Sequence, residues 1–311
     1  MSAITDSFLS VFNQLPDSII ATVHKDPDFD AIGSLLAIKE LGNHFNKDID
    51  IVSLDIDMDQ FVHLPNIDQL VTKPKNNYDL AIFLDCSDQN RIYKTNEFPT
   101  FKESINIDHH QDNTHFGTHN YVSDKSSVGE MLVSLFKALN VPITQRIATN
   151  LYAAICFDTG NFKFANTSAN TMRAAAELIE TGIKPHQISE WVFENKSIEY
   201  FDDVRVGLQN MHVDTNHPFM IITMPFNKNQ SKESSINFFR QLKNIELIVI
   251  CKETAPNKIK LSFRSKHKIN VAKLAKQFNG GGHIRAAGAN YECSINTIQL
   301  KLKNEIYEAF K

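Results

Sequence analysis

The sequence has few cysteines, no long apolar run and no excess of basic residues. Its four cysteines are widely scattered and form no C-x-x-C pair, which argues against a disulfide framework and against a thiolate zinc site. It contains no stretch of about 18 apolar residues, and no basic segment followed by an apolar run opens it. We therefore predict a cytoplasmic protein with reduced thiols and no membrane partner.

The charge balance excludes another class of protein. Lysine and arginine number 32 and aspartate and glutamate number 36, giving a net charge of −4. Proteins that bind long duplex DNA through a broad basic face carry an excess of positive charge. Any nucleic-acid substrate of this chain is therefore expected to be short.

The length and the order of apolar segments predict two α/β domains. The 311 residues are comfortable for two cores, since single domains usually have about 100–200 residues. Apolar runs alternate with helical periodicity in the first half, which favours a mostly parallel, doubly wound sheet. We predict a first domain over residues 1–190, a helical linker over 191–212, and a smaller α/β domain over 213–311.

Individual elements follow from the same patterns. Strands are predicted at 19–23, 49–54, 80–84 and 104–107 in the first half, and at 219–223, 247–251 and 259–263 in the second. Helices are predicted at 31–45, 127–139, 145–157, 169–180, 188–194, 197–209, 235–242, 271–278 and 297–310.

Polar side chains stand where three of the predicted strands end. His24 follows the first strand, Asp85 follows the strand at 80–84, and Asp108 follows the strand at 104–107. In open parallel sheets the carboxyl ends of the strands form the edge at which ligands bind. We therefore expect these three side chains to share one site.

The loop after the first strand contains His24, Asp28 and Asp30. One imidazole and two carboxylates in a short loop suit Mn²⁺ and are acceptable ligands for Mg²⁺ or Co²⁺. The alternative is an ordinary strand-to-helix loop in which Asp30 is the helix N-cap.

The other candidate ligands also have alternative explanations. Adjacent imidazoles and a carboxylate at Asp108, His109 and His110 would cost free energy without a shared partner such as a metal, although a solvated loop is also possible. Asp85 can bridge two metals or begin a turn through its side chain. Asp158 ends an apolar helix, where simple helix termination at Gly160 is the alternative.

The second half contains a possible phosphate site. Three consecutive glycines can bring backbone N–H groups close to a phosphate, and an arginine and a histidine can bind phosphate oxygens through charge-assisted hydrogen bonds. The alternative for the glycine run is a flexible helix C-cap after Phe278. The candidate substrate-binding residues are Arg264, Gly280, Gly281, Gly282 and His283.

Together these segments resemble the DHH phosphoesterase superfamily, whose four N-terminal motifs occur in this order. Asp108, His109 and His110 match its namesake triplet, and residues 262–266 and 278–288 resemble the motifs of the first subtype of DHH-associated domain. The chain is most similar to the branch of bifunctional oligoribonucleases (nano-RNases) and pAp phosphatases. The resemblance implies a DHH metal-binding catalytic domain, a DHH-associated substrate-binding domain and a cleft between them.

The resemblance also implies a two-metal mechanism. One divalent cation would be bound by His24, Asp28 and Asp85, and the other by Asp30, Asp85, His109 and Asp158. Asp85 would bridge the two ions, and a bridging hydroxide would attack the phosphorus. His110 would face the phosphate and assist catalysis, while Asp108 would orient a ligand histidine.

The implied substrates are very short single-stranded RNA, degraded exonucleolytically to mononucleotides, and the nucleotide 3′-phosphate pAp. A homodimer is common in the family. Two alternatives stay open: a phosphodiesterase for linear dinucleotides such as pApA, and a nucleotide-binding regulator without turnover. An inorganic pyrophosphatase is disfavoured, because that group of the superfamily carries a different C-terminal domain.

Overall fold

The computed structural model describes residues 4–53, 56–92, 98–231 and 233–310. Its contacts divide the chain into two compact units, Met1–Asn195 and Lys196–Lys311. Each unit is built on one β-sheet with helices packed against it.

The first unit contains a five-stranded sheet in which every pair of neighbouring strands is parallel. The strands are β1 (Ile19–Val23), β2 (Ile49–Val52), β3 (Asn77–Leu84), β4 (Thr100–Asp108) and β5 (His119–Val122). Their order is β2-β1-β3-β4-β5, so the strand order reverses between β1 and β3. The predicted α/β class with a parallel sheet is confirmed, and the reversal marks the position where such sheets bind ligands.

Helices bury the apolar face of this sheet that carries Ala21 and Ile82. The helices of the first unit are α1 (Asp6–Phe12), α2 (Phe29–His44), α3 (Met58–Phe61), α4 (Val128–Ala138), α5 (Gln145–Asp158), α6 (Ala169–Glu180) and α7 (Pro185–Phe193). Helix α2 packs closely on α5, because a Cβ on Gly33 would lie 2.4 Å from the carbonyl oxygen of Asn150. This close packing fixes the N-terminus of α2 beside the carboxyl edge of the sheet.

The second unit contains a six-stranded sheet that is antiparallel except between β7 and β8. The strands are β6 (Met211–Val213), β7 (Phe219–Met224), β8 (Leu247–Ala255), β9 (Lys258–Ser265), β10 (Gly281–Gly282) and β11 (Ala286–Glu292), in the order β10-β11-β9-β8-β7-β6. The helices are α8 (Ile198–Asn210), α9 (Ile236–Phe239), α10 (Val271–Lys276) and α11 (Ile295–Ala309). One face of the sheet is buried under α10 and α11, and α8 and α9 pack on the other.

By its contacts, α8 belongs to the second unit, whereas the sequence predicted a helical linker over 191–212. A Cβ on Gly207 of α8 would lie 2.5 Å from the Phe239 ring and 3.1 Å from the Met224 side chain, so this helix packs tightly on the second sheet. The predicted boundaries of independently folding domains stay a prediction.

Several boundaries differ from those expected from the sequence. The second strand ends at Val52, and Leu54, its predicted last residue, lies outside the described residues. The helix predicted at 235–242 is one short turn, Ile236–Phe239. Strands β5, β6, β10 and β11 were not predicted, because they are short or rich in small residues. Among the described residues, every helix is too short or too polar to cross a bilayer.

Candidate metal centre

The carboxyl edge of the parallel sheet brings together polar side chains from three strands. His24 follows β1, Asp85 follows β3, and Asp108 is the last residue of β4 rather than the first residue after it. All three are buried, with side-chain exposures of 8%, 2% and 0% respectively. The shared position expected from the sequence is therefore observed.

The two carboxylates at the start of α2 are held by different backbone groups. Asp28 is the N-cap, and its Oδ1 accepts hydrogen bonds from Asp30 N at 2.9 Å and Ala31 N at 3.1 Å. The alternative in which Asp30 is the N-cap of this helix is therefore wrong. The fully buried Asp30 carboxylate instead accepts from Val128 N at 2.7 Å and Gly129 N at 2.9 Å, at the N-terminus of α4. Both carboxylates are thus oriented by helix N-termini, which favour negative charge.

A first group of possible ligands consists of His24, Asp28 and Asp85. One ligand atom from each lies within 4.8 Å of the other two. His24 Nδ1 lies 2.7 Å from the carbonyl oxygen of Lys25, which only accepts hydrogen bonds, so Nδ1 carries the proton. Nε2, the nitrogen left to bind a metal, is then directed at Asp85 Oδ2, 3.5 Å away.

A second group consists of Asp30, His109 and Asp158, again with ligand atoms within 4.8 Å of one another. His109 Nε2 lies 3.1 Å from Asp158 Oδ2 and 3.8 Å from Asp30 Oδ2. His109 Nδ1 lies 3.2 Å from the carbonyl oxygen of Lys125, so this imidazole also directs Nε2 at carboxylates.

Asp85 lies between the two groups. Its Oδ2 contacts His24 in the first group, and its Oδ1 lies 3.5 Å from His109 Nε2 in the second. The Oδ1 atom is buried and has no hydrogen-bond partner, although such an atom normally costs about 1–3 kcal/mol. A cation between the groups would satisfy this oxygen.

The pKa values of the ligand groups also support a cation site. Burial, followed by the charges of Asp85 and Asp158, raises the pKa of Asp28 to about 6. Burial lowers the pKa of His24, but the hydrogen bond to Asp85 and the charges of Asp85 and Asp28 more than offset it and raise that pKa to about 9. Protonated histidines therefore compensate the carboxylates where divalent cations would do so. Imidazole and carboxylate donors at this density fit such cations.

A third set of contacts involves the triplet and Asn113, a residue that the sequence did not predict for this site. His110 Nδ1 donates to Asp108 Oδ1 at 2.7 Å, and Asn113 Nδ2 donates to Asp108 Oδ2 at 2.6 Å. The same amide lies 2.8 Å from Asn106 Oδ1 on β4. Asp108 is thus held at both oxygens and fixes the His110 ring. An asparagine in a polar loop gives no sequence signal for this role.

A buried carboxylate supports the loop that orients His109. Glu130 Oε2 accepts from Ser126 Oγ at 2.7 Å and Thr171 Oγ1 at 2.8 Å, and Oε1 lies 3.3 Å from Lys125 Nζ. Burial raises the pKa of Glu130, but these hydrogen bonds and the Lys125 charge outweigh burial and hold that pKa below its usual value. The loop carrying the Lys125 carbonyl is thereby fixed.

In the second unit, the glycine run forms part of the sheet. Asn279, with φ 57°, follows α10, and Gly281 and Gly282 pair with Gly288 and Ala287 of β11. A Cβ on Gly280 would lie 2.1 Å from the carbonyl oxygen of Gly288, so close strand packing requires glycine there.

The other predicted residues of this set border the same hairpin. His283 N donates to the Ala286 carbonyl at 2.7 Å in the turn between β10 and β11. Arg264 lies on β9, directly opposite Ala286 of β11, and its Nη1 donates to the Phe263 carbonyl at 3.0 Å. Arg264, His283 and the glycines therefore belong to one region of the second sheet.

Comparison with known proteins identifies both halves of the chain. Residues 18–155 match the DHH family, N-terminal domain, and residues 218–308 match the DHHA1 domain. A bifunctional oligoribonuclease and PAP phosphatase NrnA from Thermus thermophilus is 28% identical over 286 residues, covering 90% of this chain and 86% of that protein. The Bacillus subtilis protein of the same name is 27% identical, with coverages of 89% and 90%. An uncharacterized protein from Mycoplasma genitalium is 30% identical, with coverages of 87% and 86%.

Solved structures show the same fold. An exopolyphosphatase-related protein from Bacteroides fragilis has a TM-score of 0.83 at 22% identity, covering 99% of this chain and 97% of that one. RecJ from Thermus thermophilus, in complex with Mn²⁺, has a TM-score of 0.57 at 14% identity, with coverages of 97% and 54%. With both domain matches, relatives that align over most of their length and a carboxylate-imidazole centre, the chain belongs to the DHH family of metal-dependent phosphoesterases.

Proposed function

We propose that this protein hydrolyses very short RNA to mononucleotides and converts pAp to AMP, using two divalent cations. The relatives from Thermus thermophilus and Bacillus subtilis are named for these two activities and align with about nine-tenths of the chain. The observation that carries the two-cation proposal is the position of Asp85, buried between two groups of ligands with an oxygen that accepts no hydrogen bond. The cytoplasmic location of the protein and its assembly as a homodimer stay predictions.

The residues present suit two ions with a shared ligand. One ion would be held by His24, Asp28 and Asp85, and the other by Asp30, Asp85, His109 and Asp158. Mixed imidazole and carboxylate donors favour Mn²⁺, with Mg²⁺ or Co²⁺ as substitutes. When bound, the ions would lower the pKa of a water molecule and neutralise charge at the phosphorus.

The fixed His110 ring supplies a hydrogen-bonding group of the protein itself. Because Asp108 accepts from Nδ1 at 2.7 Å, ring orientation and tautomer are set before substrate binds. In the imidazolium form, Nε2–H would donate to a phosphate oxygen or protonate the leaving oxygen. Asn113 would assist only indirectly, by holding Asp108.

The second unit would bind the remainder of the substrate. Arg264 can hold a second phosphate through paired N–H groups, and His283 can add a further donor. The glycines Gly280, Gly281 and Gly282 would contribute backbone groups only, because the space beside Gly280 and Gly282 is filled by β11.

Product analysis by chromatography tests the proposal. Purified protein with Mn²⁺ is incubated with pAp, pApA and RNAs of two to ten nucleotides. We expect AMP and phosphate from pAp, mononucleotides from the shortest RNAs, and no turnover with excess chelator. Cleavage confined to pApA would favour the dinucleotide phosphodiesterase, and nucleotide binding without turnover would favour the regulator. The complete set of carboxylates and imidazoles argues against the regulator.

A further inference from the structure

Strand β9 presents a row of polar and basic side chains on one face of the second sheet. Because side chains alternate along a strand, every second residue faces the same side. The intervening residues, Ile259, Leu261 and Phe263, are buried in the core with α10 and α11. The opposite face, on which α8 and α9 pack, carries what we call the β9 row: Lys258, Lys260, Ser262 and Arg264.

Lys260 is the member of the row whose charge is least compensated. Its cross-strand neighbours are the neutral Asn290 on β11 and Lys252 on β8. Lys252 Nζ is paired with Asp203 Oδ2 at 2.7 Å, so its charge is already balanced. In the described part of the chain no carboxylate lies within ion-pair distance of Lys260. Its exposed ammonium is therefore available to an anion.

The remaining positions of the row shape a shallow strip between two cations. Ser262 faces Gly288 on β11 and Ile250 on β8, so the strip between Arg264 and Lys260 is free of large side chains on its β11 side. Lys258, by contrast, faces Glu292, which reduces its attraction for anions. Arg264 and Lys260 are four residues apart, a separation of about 13 Å at the rise of a β-strand. One intervening nucleotide of an extended single strand can bridge that gap.

We propose that the β9 row binds the backbone of single-stranded RNA of three or more nucleotides, with Lys260 contacting a phosphate beyond the one held by Arg264. This inference rests on the proposed function and adds a residue that favours longer members of the substrate range. A regular series of phosphates matches cations spaced along one strand. A mononucleotide such as pAp is too short to reach both cations.

Kinetics with substrates of graded length test this role. We expect Lys260→Ala to lower the ratio of kcat/KM on a pentanucleotide to kcat/KM on pAp by about three- to ten-fold, through loss of one phosphate contact. The slope of log kcat/KM against log salt concentration on the pentanucleotide should decrease by about 0.7. Lys260→Arg should restore both values. The control is Lys273→Ala, an exposed lysine on α10, which covers the opposite face.

The outcomes separate this inference from the proposed function. An unchanged ratio in Lys260→Ala, or the same change in Lys273→Ala, would overturn the role of the β9 row even if both substrates are hydrolysed. If the wild type hydrolyses neither substrate, the proposed function fails. Anisotropy with a labelled pentanucleotide then tests the row alone: weaker binding by Lys260→Ala, restored in Lys260→Arg, supports it, and equal binding overturns it.

Discussion

Replacing Asp85 with asparagine tests the metal centre at the residue shared by both ligand groups. The two side chains have the same shape, so the substitution removes one charge and one ligating oxygen without creating a cavity. Asp85 is 2% exposed, and its unpaired Oδ1 lies 3.5 Å from His109 Nε2. An amide nitrogen at either position cannot bind a cation. Both ions are therefore expected to bind weakly.

The size of the expected change in thermal stability follows from the linkage between cation binding and folding. A cation present at 100 times its Kd stabilises the native state by about 2.7 kcal/mol. For a unit of 195 residues this corresponds to an increase in Tm of about 5–10 °C. We expect the Mn²⁺-dependent increase to fall below about 2 °C in Asp85→Asn, the equivalent of less than about 1 kcal/mol. Hydrolysis of pAp should decrease by more than about 1000-fold, since nucleophile activation and charge neutralisation are lost together.

Thermal unfolding with chelator and with a Mn²⁺ series provides the assay, and hydrolysis of pAp is measured on the same preparations. Asp26→Asn is the matched control, because Asp26 is exposed in the same cluster of loops and its φ of 52° is one that asparagine tolerates. The control should keep the full Mn²⁺-dependent shift. A full shift in Asp85→Asn, or equal losses in both variants, would refute the bridging role.

Three further substitutions test the supporting contacts. Asn113→Ala removes the donor to Asp108 at 2.6 Å, so kcat on pAp should decrease by about 10- to 100-fold with a smaller change in KM; equal changes would contradict a positioning role. Glu130→Gln should lower the free energy of unfolding by about 2 kcal/mol at pH 7. The pKa of Glu130 is lower in the folded state, so this difference in the free energy of unfolding should be present above the unfolded-state pKa and disappear as pH falls through the folded-state pKa. Urea denaturation over a pH series measures it. A difference that stays constant with pH would contradict the role of the Glu130 charge. Gly280→Ala places a Cβ 2.1 Å from the Gly288 carbonyl oxygen and should cost about 1–3 kcal/mol, seen as a lower Tm. An unchanged Tm would contradict the close packing.

The sequence predicted the carboxyl edge of the first sheet because strong local signals mark it. Continuous apolar runs identify β1, β3 and β4, and His24 and Asp85 directly follow two of them. Parallel pairing then brings the strand ends together without further information. Which carboxylate caps α2 was beyond prediction. Asp28 and Asp30 both suit an N-cap, and the choice depends on Val128 and Gly129, about a hundred residues away.

The second unit was harder to predict for a different reason. Strand β11 (Ala286–Glu292) is made largely of small and polar residues, so its alternating burial of Ala287 and Ala289 leaves no hydrophobic pattern. Gly281 and Gly282 suggested a loop, although their function in the sheet is to permit close pairing. The contact between Asn113 and Asp108 likewise depends on a turn that composition does not specify.

The bond between the Asp30 carboxylate and the start of α4 has a kinetic consequence. It joins residues separated by 98 and 99 positions, so the second ligand group cannot exist until distant parts of the first unit have assembled. We therefore expect a cation to bind after most of the folding barrier has been crossed. Its main effect should be on escape from the native state, with slower unfolding in Mn²⁺ and a nearly unchanged refolding rate.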